Sequence, residues 1–255
     1  LLSFCLAPHS PYTVSDRSFE RIATLSAQLD LAVHMHVQET VAEVDESLAR
    51  YGLRPLARLQ RLGLLDPHLI AVHAVHLTGD EIELLAEHDC SVAHCPTSNL
   101  KLASGIAPVA RLLAAGVRVG LGTDGAASNN RLDLLREMRQ CALLAKATSG
   151  DASVIDCHRA LRLSTLDGAR VLGLGDRLGS LVPGKLADLC AIRLDDWIEQ
   201  PCLDPACQIV HVAGREQVAN VWVGGRIRIR EGLPADDAAI ALHDIGHSWH
   251  NKICG

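Results

Sequence analysis

The chain has 255 residues, 48% of them hydrophobic and 21% charged, with a formal net charge of −6. This is the composition of a globular protein and excludes a disordered one; an acidic balance without long charged blocks also excludes a phosphate-backbone partner such as nucleic acid. No apolar run approaches the roughly 18 uncharged residues that a membrane span requires, so a soluble protein without a membrane partner is expected.

In chain order, the opening LLSFCLAPHSPYTVSD has neither an initiating Met nor the charged and cleavable regions of a signal peptide. It begins in mid-strand, so the chain is expected to be a fragment. Short apolar runs at about 2–7, 31–36, 69–74, 90–94 and 117–122 read as strands. Between them lie helical patterns: SDRSFERIATLSAQLD with Ser15 as cap, ETVAEVDESLARYG, RPLARLQRLG, and TGDEIELLAEHD with Thr78 and Glu81 in capping-box spacing. NRLDLLREMRQCALLAKATSG and DCHRALRLSTLDGARVLGL read as two further amphipathic helices. This alternation predicts an α/β fold with a parallel sheet over residues 1–175. From about 176 the texture becomes Gly/Pro-punctuated, and QVANVWVGGRIRIREG reads as two strands around a Gly-Gly turn. A small β domain is therefore expected over 176–232, followed by a helical C-terminal tail over 233–255. The nine cysteines include no C-x-x-C and read as free thiols of a reducing compartment, which places the protein in the cytoplasm.

Polar residues recur where the strands end: His9, His34/His36/Glu39, His73/His76, His94 and Asp124. In a parallel barrel those ends converge on one mouth. Alternation puts His34 and His36 on one side of their strand, and Glu39 lies just beyond it. An ion held by imidazoles and a carboxylate lowers the pKa of bound water from about 15.7 to near 7, while a separate carboxylate shuttles protons. Taken singly, a strand-end histidine is more often an ordinary hydrogen-bonded group, and His34, His76 and His94 keep that reading. His68, His88 and His158 read as surface residues, and Lys101 as a loop charge. The recurrence of the pattern at four strand ends is what favours a shared metal site.

The stretches APHSPYTVS, HMHVQET, VHAVHLT, HCPTSNLKLASGIAPV and GLGTDGAASNN, in this order, resemble the amidohydrolase superfamily. Within it they resemble the aminohydrolases that include the 5-methylthioadenosine/S-adenosylhomocysteine deaminases and the chlorotriazine hydrolases. The resemblance implies a (β/α)8 TIM-type barrel with strands four to eight present, part of a small β-sandwich domain, and zinc, with iron as the alternative. It implies His36 and Asp124 as metal ligands and Glu39, His73 and Asp124 as catalytic groups. Glu39 would protonate the purine ring, His73 would orient the water, and Asp124 would accept its proton. His9, Glu39 and Ser128 would contact a purine nucleoside, and the protein would form a homo-oligomer. The implied reaction is hydrolytic deamination to an inosine-type product and ammonia. The alternatives are another heterocycle, such as guanine or a triazine, or a non-catalytic binding module.

One departure is large. The family carries an H-x-H pair on its first barrel strand, whereas the only H-x-H here is His34-Met35-His36, which matches a later strand. The chain taken alone is therefore expected to bind metal weakly and to be inactive.

Overall fold

A computed structural model describes residues 2–235 together with Ile245, Ser248, Trp249, Lys252 and Ile253. The chain divides into two compact units at Gly179/Ser180.

The first unit is α/β. It opens with α1 (Asp16–Leu29), whose N-cap Ser15 accepts from the Ser18 N–H. Four parallel strands follow in sequential order, β1 (Val33–Val37), β2 (Leu69–His73), β3 (Ser91–His94) and β4 (Arg118–Leu121). Between β1 and β2 run α2 (Val41–Tyr51) and α3 (Pro55–Arg61); α4 (Gly79–Glu87) joins β2 to β3, and α5 (Pro96–Lys101) and α6 (Val109–Ala114) join β3 to β4. After β4 come α7 (Leu134–Ser149), α8 (Cys157–Leu163) and α9 (Leu166–Val171). The Thr78/Glu81 capping box of α4 forms as expected.

All five β2 residues are buried, whereas β1 alternates, with Val33, Met35 and Val37 buried and His34 and His36 half-buried on the other face. Phe19, Leu56, Leu59, Leu85, Leu112, Met138 and Leu163 are fully buried; each contributes roughly 1.5–3 kcal/mol by leaving water. The close approach of α9 to β4 depends on two glycines: a Cβ on Gly120 would lie 2.8 Å from Gly168 Cα.

Three expectations need correction. The strand expected over 2–7 is reduced to a single parallel bridge, Leu6 to Val33. The ladder starts with Leu6 N–H to Ala32 O and His34 N–H to Leu6 O, but Pro8 has no N–H to continue it, and the next bond, from His36 N–H, goes to His9 O. The helix expected over 156–174 breaks at Thr165 (φ −123°, ψ −96°) into α8 and α9. Finally, α5 and α6 fill a stretch in which no helix was expected.

The second unit holds an antiparallel sheet of β5 (Leu189–Ile192), β6 (Val218–Val223), β7 (Arg226–Arg230) and β8 (Leu233–Pro234), with α10 (Pro205–His211) between β5 and β6. Gly224 and Gly225 turn β6 into β7 with φ of +57° and +75°, as the Gly-Gly pair leads one to expect. Of the expected helical tail, the structure describes 233–235 and the five residues named above, and its first two residues form β8. Cys5, Cys90, Cys95, Cys141, Cys190 and Cys202 are free thiols. Among the described residues, no helix is long and apolar enough to cross a membrane.

Candidate metal centre

The C-terminal ends of β1, β2 and β4 bring His36, His73 and Asp124 together, with one candidate ligand atom from each lying within 4.8 Å of the others. The backbone is bent to do so: Gln38, His73, Ala74 and Asp124 all have positive φ (+51°, +70°, +49° and +61°). Left-handed conformations cost non-glycine residues of order 1–3 kcal/mol each and cluster at functional sites.

Both imidazoles are oriented from behind. His36 Nδ1 lies 2.5 Å from His9 O, and His73 Nδ1 lies 2.7 Å from Asn99 Oδ1. A carbonyl oxygen only accepts, so each Nδ1 carries a proton, and in the neutral ring Nε2 keeps a bare lone pair. His73 Nε2 is buried without a hydrogen-bond partner. The rings stack with centroids 5.3 Å apart and planes 14° from parallel. Burial is the largest influence on His73 and lowers its pKa, so the neutral, ligand-competent form is favoured.

Asp124 is held by three donors: Ser98 Oγ and Ser128 Oγ, both 2.6 Å from Oδ2, and the Gly125 N–H, 2.7 Å from Oδ1. Burial acts to raise its pKa, but these hydrogen bonds outweigh it and keep the carboxyl below its usual range. Two imidazoles, one buried and one half-buried, and a charged carboxylate form a nitrogen/oxygen donor set of the kind that holds zinc, and each histidine donates an N–H to an acceptor, as metal-bound histidines do.

Glu39 stands beside this group. Its Oε2 is 3.8 Å from His73 Nε2, and its Oε1 accepts from Ser104 Oγ at 3.1 Å. The turn that carries it is fixed by Glu43, whose two carboxylate oxygens accept the Gln38 and Glu39 N–H groups at 2.9 and 2.8 Å. Burial is the main effect on Glu43 and raises its pKa. Behind it, Gln38 Nε2 donates to His76 O and Glu81 Oε2, and Arg54 donates to both Glu81 oxygens and to His76 O.

The remaining expected residues take smaller parts. The His9 ring lies tilted beside that of His36, centroids 5.0 Å apart and planes 52° from parallel, and its Nδ1 lies 3.0 Å from Ser10 Oγ and Thr13 Oγ1. Ser128 is buried, and its hydroxyl donates to Asp124 Oδ2. Among the histidines read as structural, His76 Nε2 donates to Ser104 O, and buried His94 has its pKa lowered to about 3, chiefly by desolvation and then by His73. Lys101 donates to Ala127 O and Asn130 Oδ1.

Sequence reasoning missed Glu43, Glu81, Ser98, Asn99, Ser104, Asn129 and Glu137 as parts of the site. One signal was present: Glu137, Cys141 and Ala145 recur every four residues on the buried face of α7, so a carboxylate stands in an apolar stripe, where it needs a partner.

The sequence pattern of the amidohydrolase family matches residues 2–228. A 5-methylthioadenosine/S-adenosylhomocysteine deaminase of Teredinibacter turnerae is 47% identical over 99% of this chain and 57% of its own length. The crystal structure of an adenosine deaminase from Xanthomonas campestris with bound zinc superposes with a TM-score of 0.96 at 48% identity, covering 98% of this chain and 57% of that one. A zinc complex of atrazine chlorohydrolase from Arthrobacter aurescens gives 0.88 at 28% identity, covering 94% and 53%. The chain thus spans little more than half the length of these relatives. With the family pattern running through all the residues of the metal group, the chain belongs to the amidohydrolase family.

Proposed function

We propose that this chain carries the second half of the catalytic site of a zinc-dependent aminohydrolase. That enzyme converts 5′-methylthioadenosine or S-adenosylhomocysteine to the inosine counterpart and ammonia. The observation that carries the reading is that His36 Nδ1 and His73 Nδ1 are both committed to acceptors while one candidate ligand atom from each of His36, His73 and Asp124 lies within 4.8 Å of the others. The close relationship to the Teredinibacter deaminase and to the zinc-containing adenosine deaminase supports the substrate class. In this reading β1 to β4 are strands five to eight of an eight-stranded barrel, and the antiparallel sheet is part of a small β-sandwich domain.

Zinc held by His36, Asp124 and the bare ring nitrogen of His73 would supply Lewis acidity and a water of lowered pKa. Glu39, held at its N–H by Glu43, delivers a proton to the purine ring nitrogen as the amino-bearing carbon is attacked. Asp124 accepts the proton the water gives up. His9, whose ring lies beside that of His36, would contact the nucleoside. A second reading, another amino- or chloro-substituted heterocycle on the same machinery, is favoured by the likeness to the chlorohydrolase.

The test is ammonia release by the full-length protein from a panel of both adenosine thioethers, adenosine, guanine and a chlorotriazine. Turnover of the thioethers with the highest kcat/KM supports the reading; no turnover of either removes it.

A further inference from the structure

Glu137 lies on α7 with no solvent exposure, and each of its carboxylate oxygens accepts one hydrogen bond. Oε2 takes the Thr97 N–H at 2.9 Å, and Oε1 takes Asn129 Nδ2 at 2.7 Å. The Thr97 N–H belongs to the first turn of α5, where the helix offers it no acceptor. The next two residues are Ser98, which donates to Asp124, and Asn99, which accepts from His73. Asn129 sits in the loop that follows Asp124 and also ties that loop to itself, through Nδ2 to Thr123 O at 2.9 Å and Oδ1 from the Leu132 N–H at 3.3 Å.

We propose that Glu137 is a positioning residue for the metal group: its one buried carboxylate sets both the α5 turn that orients His73 and the loop that presents Asp124. It touches neither a ligand atom nor the open face of the site; it acts through Thr97 and Asn129. The arrangement is hard to replace. Asn129 cannot turn its amide over without losing Thr123 and Leu132 together, so only an acceptor-only group at 137 satisfies both neighbours. The proposal rests on the reading of His36, His73 and Asp124 as one metal group, but its test needs neither metal nor substrate.

The experiment is nuclear magnetic resonance on the metal-free chain, following the ring 15N shifts of His73 and the carboxyl 13C shift of Asp124. Wild type is expected to show His73 protonated at Nδ1 and bare at Nε2. Glu137→Gln keeps the volume but turns one acceptor into a donor, so one of its two bonds must fail. A change in the His73 protonation pattern or in the Asp124 shift is expected. Asn129→Ala removes the Glu137 bond together with the loop's own bonds to Thr123 O and the Leu132 N–H but leaves Thr97 held, and it is expected to move Asp124 while leaving His73 as in wild type. Leu85→Ala, which removes a fully buried side chain on α4, controls for loss of stability and is expected to change neither signal. Folded Glu137→Gln with both signals at their wild-type positions overturns the proposal. If that variant does not fold, an unmoved Asp124 shift in Asn129→Ala does so. Absence of deaminase activity in the full-length protein would count against the functional reading and leave these signals untouched.

Discussion

His73 Nδ1 sits 2.7 Å from Asn99 Oδ1, and the opposite ring nitrogen is buried without a hydrogen-bond partner. An orphaned buried acceptor costs about 1–3 kcal/mol, a penalty that a bound cation removes. Asn99→Ala deletes the acceptor that selects this tautomer. Zinc affinity measured by competition with a chromophoric chelator is expected to fall about 10- to 100-fold, the usual effect of losing a partner behind a metal-bound histidine. Unchanged affinity would show that Asn99 does not orient the ring.

Glu39→Gln in the full-length protein removes the proton donor and keeps the side-chain shape. kcat is expected to fall roughly 10²- to 10⁴-fold, as for loss of a general acid, with zinc content unchanged by elemental analysis. Joint loss of metal and activity would instead make Glu39 part of the ligand set.

The Arg54–Glu81 pair braces Gln38 and His76, and its pH dependence has a definite sign. Burial acts to raise the Glu81 pKa, but hydrogen bonds from Arg54, the Thr78 N–H and Gln38 outweigh it and hold it below its usual 4.5. A depressed carboxylate contributes stability above its unfolded pKa, and that contribution is lost as pH falls through the folded value. Arg54→Met is therefore expected to lose about 2 kcal/mol at pH 7, the gap from wild type closing below pH 4.5. Denaturant melts across pH 3–7 measure it; a gap that does not change with pH would assign the loss to packing alone.

Gly120→Ala would place a methyl 2.8 Å from Gly168 Cα. Overpacking of this kind costs typically 1–3 kcal/mol, read as a lowered Tm. An unchanged Tm would mean that α9 is free to move away from β4.

Much of the site was legible because its chemistry sits at strand ends. The alternation His34-Met35-His36 put one histidine pair on one face, and the apolar run ending in Gly122-Thr123-Asp124 marked an acid that had to be paired. The residues that hold these groups were not legible. Ser98 and Asn99 lie on α5, a six-residue helix with no amphipathic period to announce it. Glu43 stands in the first turn of α2, and its carboxylate reaches back to the Gln38 and Glu39 N–H groups, a choice made by the turn geometry of the folded chain. The first strand was overestimated because its apolar residues outweighed the one missing N–H at Pro8.

The central claim is that His36, His73 and Asp124 share one ion, and zinc X-ray absorption fine structure of this chain loaded with one equivalent of metal tests it most directly. Two imidazole nitrogens at about 2.0–2.1 Å and a carboxylate oxygen at about 2.0–2.2 Å are expected, with one imidazole lost in His36→Ala. A spectrum without imidazole scattering, or one that His36→Ala leaves unchanged, would contradict it.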